Sequence, residues 1–206
     1  MLAAETLSDW RVPLDEAIYR AVNGIGSPVL DAIFVGASSQ AFGLAALAVM
    51  AAWVIVKFRR SSPLALVLLG VIIGFTDRFG HVVIKPFVGR MRPCFAMKDE
   101  AIRVLVGVSN VGSMPSLHSA NAFAVATAMA LLVPRAGWFV YPVAALIALS
   151  RVGVGVHWPS DIVGGALFGT AVSLVVILLA RRFLPLPAAL IRPRLGATVP
   201  PVAPPT

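Results

Sequence analysis

Residues 162–182 read IVGGALFGTAVSLVVILLARR. The stretch 162–180 carries no charge, and two arginines close it. A helix of about 17–25 apolar residues crosses the hydrocarbon core of a bilayer. The stretch therefore predicts a transmembrane span stopped at the membrane surface by Arg181 and Arg182. Four further apolar runs lie upstream. They are 37–56, ended by Lys57, Arg59 and Arg60; 63–84, stopped by Pro86; 116–133, ended by Pro134; and about 138–150. Composition agrees with this reading. Of the 206 residues, 59% are hydrophobic and only 13% charged, with a mean hydropathy of +0.90. A soluble domain is about 45–50% apolar and about 25% charged. The expected fold is all-α, a polytopic membrane bundle of about five transmembrane helices.

The flanks differ from the spans. The N-terminus has no basic start and places Glu5 and Asp9 before any long apolar run, so it does not read as a signal peptide. Residues 13–23 mix charges with Leu14, Ile18 and Val22 at a spacing of four. That pattern predicts an amphipathic helix lying at the membrane interface, broken by Gly24, Gly26 and Pro28 before a short segment 29–35. Residues 183–206 hold seven of the 16 prolines and read as an irregular tail. The expected organisation is an interfacial segment 1–36, a transmembrane unit 37–182 and a Pro-rich cytoplasmic tail 183–206. Cys94, the one cysteine, has no partner in its own chain.

Net charge is +8. With five spans, one side holds Lys57, Arg59, Arg60, Arg135, Arg181, Arg182, Arg192 and Arg194 and no acid. Clusters hugging the span ends mark the cytoplasmic side. Segments 86–115 and 151–161 are then expected outside a cell (inner) membrane, facing the periplasm. The pI of about 11.1 does not indicate a nucleic-acid protein, because the spans leave no continuous basic soluble face.

Ionisable groups at membrane depth are costly and usually functional. Three clusters fall at one predicted face: Lys85-Pro86-Phe87-Val88-Gly89-Arg90-Met91-Arg92-Pro93, Met114-Pro115-Ser116-Leu117-His118-Ser119, and Ser150-Arg151 followed by His157 and Asp161. An up-and-down bundle brings them together. Lys85, Arg92 and Arg151 supply three cations suited to a phosphate. Ser116 stands where a helix begins, with free N–H groups and the dipole favouring an anion. Asp161, four residues after His157, is placed to accept its ring N–H and fix its tautomer. An oriented neutral imidazole is a competent nucleophile, and a second, His118, is able to protonate a leaving oxygen. No His, Cys and acid cluster has metal-ligand spacing, so no metal or cofactor is expected.

These clusters resemble the K-x6-R-P, P-S-G-H and S-R-x5-H-x3-D signatures of the type-2 phosphatidic acid phosphatase family, matching ten side chains in order and spacing. The resemblance covers residues 85–161 directly and 37–180 by span arrangement. It implies a membrane lipid phosphatase working through a phosphohistidine. His157 is then the nucleophile, Asp161 its orienting partner and His118 the general acid. Lys85, Arg92, Ser116, Leu117 and Arg151 hold the phosphoryl oxygens. One position departs: Leu117 stands where the family has glycine. It keeps the backbone N–H, while its side chain is expected to fill space beside the phosphate. The implied partners are the bilayer and a lipid phosphate or diphosphate. A polyprenyl (undecaprenyl) diphosphate comes first, by similarity to small bacterial members acting in cell-wall carrier recycling. Phosphatidic acid or phosphatidylglycerol phosphate is second, and lipid A phosphate third. A reading of another class is a non-catalytic lipid transporter or scaffold; against it, the charges gather at one face and not at the midplane.

Taken singly, several residues read as structural. Lys85 or Arg92 alone would be a snorkelling anchor. His81, one turn from Asp77 and from Lys85, reads as packed within the second span and bonded to one of them. Asp77 and Arg78 read as a structural polar network. Trp53, Trp138 and Trp158 read as interfacial belt residues. Asn121 with Ser119 is a candidate support for His118. Residues 94–115 are expected to cover part of the site or dip into the membrane surface.

Overall fold

The structure, a computed structural model, describes residues 11–109, 111–185, 187 and 190. Among the described residues the apolar runs form α-helices: α1 (Pro13–Asn23), α2 (Pro28–Ser38), α3 (Gln40–Phe58), α4 (Ser62–Phe79), α5 (Lys85–Val88), α6 (Pro93–Ala96), α7 (Leu117–Leu132), α8 (Gly137–Gly153) and α9 (Pro159–Phe183). Three helical runs are long and apolar enough to cross a membrane. They are Gln40–Val88, Pro134–Gly153 and Pro159–Phe183, with mean hydropathies of 2.1, 1.4 and 2.5. The first is two helices in one run. Arg59 adopts φ 47°, and the start of α3 (Ser39, Gln40) lines the same cavity as Asp77 and His81 near the end of α4. The chain therefore doubles back at Arg59. With the shorter α7, five long apolar helices make the bundle of a multi-pass membrane protein. Their outer faces carry exposed Val56, Val67, Leu167, Val175 and Leu178, the surface that hydrocarbon, not water, tolerates.

Small residues set the closest approach. A Cβ added at Gly165 would stand 2.4 Å from the Ser116 carbonyl oxygen, and one at Gly169 would stand 1.9 Å from that of Ala120. One turn on, Ser173 Oγ donates to the Ala124 carbonyl at 2.6 Å. α7 and α9 thus meet backbone to backbone along a small-residue seam, the packing that membrane helices use in place of a hydrophobic driving force. The apolar core, with Val54, Phe58, Leu69, Ile72, Met129 and Ile177, lies toward the basic end of the bundle. There Arg181 Nη2 bonds the Leu131 carbonyl at 2.9 Å.

Two expectations change. Pro86 does not stop the second span. Residues Gly80–Ile84 widen into a π-helical turn and the helix runs on to Val88. Such a turn accommodates a proline that lacks an N–H and crowds the preceding turn. Gly89, at φ 59°, then ends α5. Second, α1 does more than lie at the interface. Leu14 and Ile18 do face outward, but the opposite stripe, Asp15, Tyr19 and Asn23, is buried, and α1 packs against α8 and α9. α1 and α2 meet at a bend of 115°. Of the tail 183–206, the residues 186, 188, 189 and 191–206 lie outside the described residues, as do Glu5 and Asp9.

Candidate active site

At the end of the bundle opposite the basic clusters, the exit of the second span, the entry of α7 and the α8–α9 loop meet over a cavity of about 950 Å³. Lys85, Arg92, Leu117, His118, Arg151 and His157 all line it. Its far end is apolar, walled by Leu47, Met50, Trp53, Phe139 and Val140. From Ser39 to Trp53 along α3 is about 21 Å at 1.5 Å per residue, so the cavity reaches deep into the bundle. Val106, Val108 and Val111 line it as well, so the 94–115 segment covers part of the site.

His157 is fixed from both sides. Its Nδ1 lies 3.3 Å from Asp161 Oδ2, and its Nε2 lies 3.0 Å from Arg92 Nη1. A guanidinium has donors only, so Nε2 must be the acceptor and the ring proton sits on Nδ1, facing the carboxylate. Burial, and then the charges of Arg92, Lys85 and Arg151, push the His157 ring well below its ordinary pKa. The imidazole is therefore neutral, with the Nε2 lone pair on the cation-lined side.

Asp161 is fully buried behind His157. It accepts from the Trp158 backbone N–H at 2.8 Å, which also caps α9. Ser116 begins α7, and its N–H donates to the Asp161 carbonyl at 3.0 Å. Its side chain is not on the cavity wall. Lys85 Nζ donates to the Gly112 carbonyl at 2.8 Å. Arg151 Nη1 donates to Ser38 Oγ at the end of α2. Lys85, Arg92 and Arg151 are all buried, and Arg92 Nε, Arg151 Nε and Ser116 Oγ have no hydrogen-bond partner. Buried cations and orphaned donors are costly. An anion with several acceptor oxygens in the cavity, such as a phosphate, satisfies Lys85, Arg92 and Arg151 together.

Leu117 divides its side chain between two places. It touches the cavity, but its Cδ2 also lies so close to Gly80 that a Cβ there would stand 2.6 Å away. Part of its bulk goes into the α4–α7 contact, made possible by a glycine on the facing helix. The polar support is also arranged differently. Asn121 Nδ2 donates to Asp77 Oδ1 at 3.2 Å, and Ser119 Oγ to the Ile162 carbonyl at 2.6 Å. These two therefore tie α7 to α4 and to α9. His81 is exposed on the cavity wall and is not packed within the span. Trp158 is no belt residue. It is buried under Arg90, with Nε1 donating to the Met91 carbonyl at 2.9 Å.

The sequence reading missed Asp15, Arg90 and Ser38. Arg90 is buried and donates to Asp161 Oδ1 at 3.0 Å and to Asp15 Oδ2 at 2.6 Å. Its place inside the first cluster was visible, but the pairing with α1 had no local signal.

The family model described as PAP2 superfamily matches residues 63–184. The chain belongs to the PAP2 superfamily. Its 97-residue match to decaprenylphosphoryl-5-phosphoribose phosphatase of Mycobacterium tuberculosis is 39% identical and covers 46% of this chain and 50% of that protein. The chain thus spans about half the length of that curated relative. The undecaprenyl-diphosphatase of Bacillus subtilis is 28% identical over 149 residues, 71% of this chain and 74% of that protein. The crystal structure of the first transmembrane PAP2 type phosphatidylglycerolphosphate phosphatase from Bacillus subtilis superposes with a TM-score of 0.62 at 27% identity. It covers 82% of this chain and 86% of that one. The Lys85, Ser116 and His157 clusters all fall within the residues matched to the PAP2 superfamily.

Proposed function

We propose that this chain is a membrane lipid phosphatase acting through a phosphohistidine on residue 157, at the extracytoplasmic face. The observation that carries the reading is the state of His157: Nδ1–H on Asp161, and Nε2 unprotonated, accepting from Arg92, at the head of a cavity whose far end is apolar. Nε2 attacks phosphorus as the bond to the leaving oxygen breaks, and His118 gives that oxygen a proton. Water then attacks the phosphohistidine, His118 takes a proton back, and inorganic phosphate leaves. Lys85, Arg92, Arg151 and the Leu117 backbone N–H hold the phosphoryl oxygens, and Ser116, off the cavity wall, ties the start of α7 to Asp161. The three cations supply the charge neutralisation that a metal ion supplies in other phosphoryl transfers, so the reaction is proposed to be metal-independent.

The preferred substrate is a polyprenyl diphosphate, with the lipid monophosphate as leaving group. Supporting this, the apolar reach of about 21 Å along α3 suits a long chain. Two of the relatives are also named for polyprenyl lipids. Phosphatidylglycerol phosphate is the second reading, favoured by the named activity of the superposed structure. The opposite end of the bundle carries Lys57, Arg59, Arg60, Arg181 and Arg182, which supports a cytoplasmic location for that end and a periplasmic one for the site.

The test is phosphate release by purified protein in detergent with EDTA. The panel is undecaprenyl diphosphate, phosphatidylglycerol phosphate, phosphatidic acid and lipid A phosphate, with His157→Ala beside the wild type. EDTA-resistant release from undecaprenyl diphosphate, lost in the variant, is expected. Release from phosphatidic acid alone overturns the substrate, and an active His157→Ala overturns the mechanism.

A further inference from the structure

We propose that Asp15, on α1, is a positioning residue for the reaction, keeping Asp161 free to serve His157. This rests on the function proposed above. Asp161 has two oxygens. Oδ2 faces His157 Nδ1, while Oδ1 accepts from Arg90 Nη1 at 3.0 Å. Arg90 therefore sits as a full positive charge on the carboxylate that must stabilise the imidazole. Asp15 answers it from the other side. Its Oδ2 accepts from Arg90 Nη2 at 2.6 Å, and its Oδ1 accepts from the Ser160 N–H at 2.7 Å at the start of α9. Ser160 Oγ closes the ring, accepting from Arg90 Nη1 and donating to Asp15 Oδ2, each at 2.6 Å. Asp15, Arg90 and Asp161 are all buried, so their charges are little screened. The Tyr19 ring, one turn along α1, packs on Trp158 at 5.3 Å, and Arg90 lies over the same indole at 5.1 Å.

The charges explain why two carboxylates are needed. Asp161, Arg90 and Asp15 sum to one negative charge, matching the positive charge that develops on the His157 ring as phosphorus bonds to Nε2. Without Asp15 the sum is zero. Arg90 then falls wholly to Asp161, and the ring loses the counter-charge that steadies it. The other groups acting on His157, namely Arg92, Lys85, Arg151 and His118, all oppose a positive charge on its ring.

The test uses the full chain in detergent with undecaprenyl diphosphate and phosphatidylglycerol phosphate. It compares wild type, Asp15→Asn, Tyr19→Phe and His157→Ala. For Asp15→Asn, kcat is expected to fall about tenfold with KM within twofold, and the acid limb of kcat/KM to move to lower pH. Tyr19→Phe loses only the bond from its hydroxyl to the Gly155 carbonyl, so it weakens α1 docking without touching charge and should keep the wild-type kcat and pH limb. An Asp15→Asn enzyme with wild-type kcat, or a Tyr19→Phe enzyme equally slowed, overturns the proposal. If Asp15→Asn does not fold, Ser160→Ala decides. It removes the hydroxyl that accepts from Arg90 Nη1 and donates to Asp15 Oδ2, so Arg90 Nη1 leans on Asp161 Oδ1 instead; kcat should fall about threefold with the acid limb moved to lower pH, and an unchanged kcat and limb overturn the proposal. A fully active His157→Ala would instead overturn the histidine mechanism, and this proposal with it, whereas an inactive His157→Ala beside an undisturbed Asp15→Asn overturns this proposal alone.

Discussion

Leu117 packs its Cδ2 over Gly80, so that part of its bulk is taken up by a glycine on the facing helix. The pair behaves as one unit. The neighbour at 2.6 Å is the far end of a flexible side chain, so Gly80→Ala should fold but push Leu117 toward the cavity it already lines. The expected result is a KM raised several-fold with kcat little changed. Leu117→Ala on the Gly80→Ala background should restore KM, which steady-state kinetics on the two single variants and the double variant would check.

The α7–α9 seam is less forgiving. A Cβ at Gly169 meets the Ala120 carbonyl oxygen at 1.9 Å and its carbon at 2.8 Å, both backbone atoms. Nothing there can rotate away, so the helices must separate. Gly169→Ala should cost about 1–3 kcal/mol or more, as overpacking does. Because Ser116 and Ala120 start the same helix as His118, activity should fall together with the thermal midpoint in detergent. Gly70→Ala, on α4 and away from the cavity lining, where an added Cβ meets nothing within 4 Å, should leave both unchanged.

Much of this arrangement was legible in the residues themselves. The apolar runs marked the long helices to within a few positions, because lipid forces every backbone group into helical bonds. Asp77, His81 and Lys85, four apart, do line one wall. The three signature clusters do meet at one end, because up-and-down connectivity leaves them no other place. Asp15 was not legible. It stands 75 positions from Arg90 and 145 from Ser160, and the amphipathic pattern of α1 advertises Leu14 and Ile18, which face outward. The buried stripe is the polar one, an inversion that only the folded chain reveals. Trp158 departs from its reading for a similar reason: a tryptophan near a span end suits an interface equally well until Arg90 is seen over its indole and Tyr19 against it.

The cover segment offers a test of its own. Asn23 Nδ2 donates to the carbonyls of Arg103 at 2.8 Å and Gly153 at 3.1 Å, and its Oδ1 accepts from the Arg103 N–H at 2.9 Å. One buried amide thus clamps the strap to both α1 and α8. The Arg103 guanidinium adds bonds to the Asn23 and Ile25 carbonyls and to Asp31. Asn23→Ala leaves these backbone groups buried without partners. Amide exchange at 102–106 should speed by tenfold or more, with 117–132 unaffected. Equal protection in both proteins would show that the strap is held elsewhere.

The buried, cation-flanked position of His157 sets the pH response. Its ring, held well below its ordinary pKa first by burial and then by Arg92, Lys85 and Arg151, must be neutral to attack. The acid limb of kcat/KM, which reports the free enzyme, should therefore fall below pH ~6.5, the value for an unperturbed imidazole. Stability follows with its own sign. The unfolded chain takes a proton on His157 near pH 6.5, and the folded chain only at lower pH. As pH drops through 6.5 the unfolded state thus binds more protons, and the fold weakens until the folded ring protonates as well. Arg92→Gln removes one flanking cation and the donor to Nε2. Its acid limb should rise toward pH ~6.5 while kcat falls about a hundredfold, because a phosphoryl-holding charge is lost. A pH–rate profile of the two proteins measures both effects. An acid limb that stays in place in Arg92→Gln would mean that the titrating group is not His157.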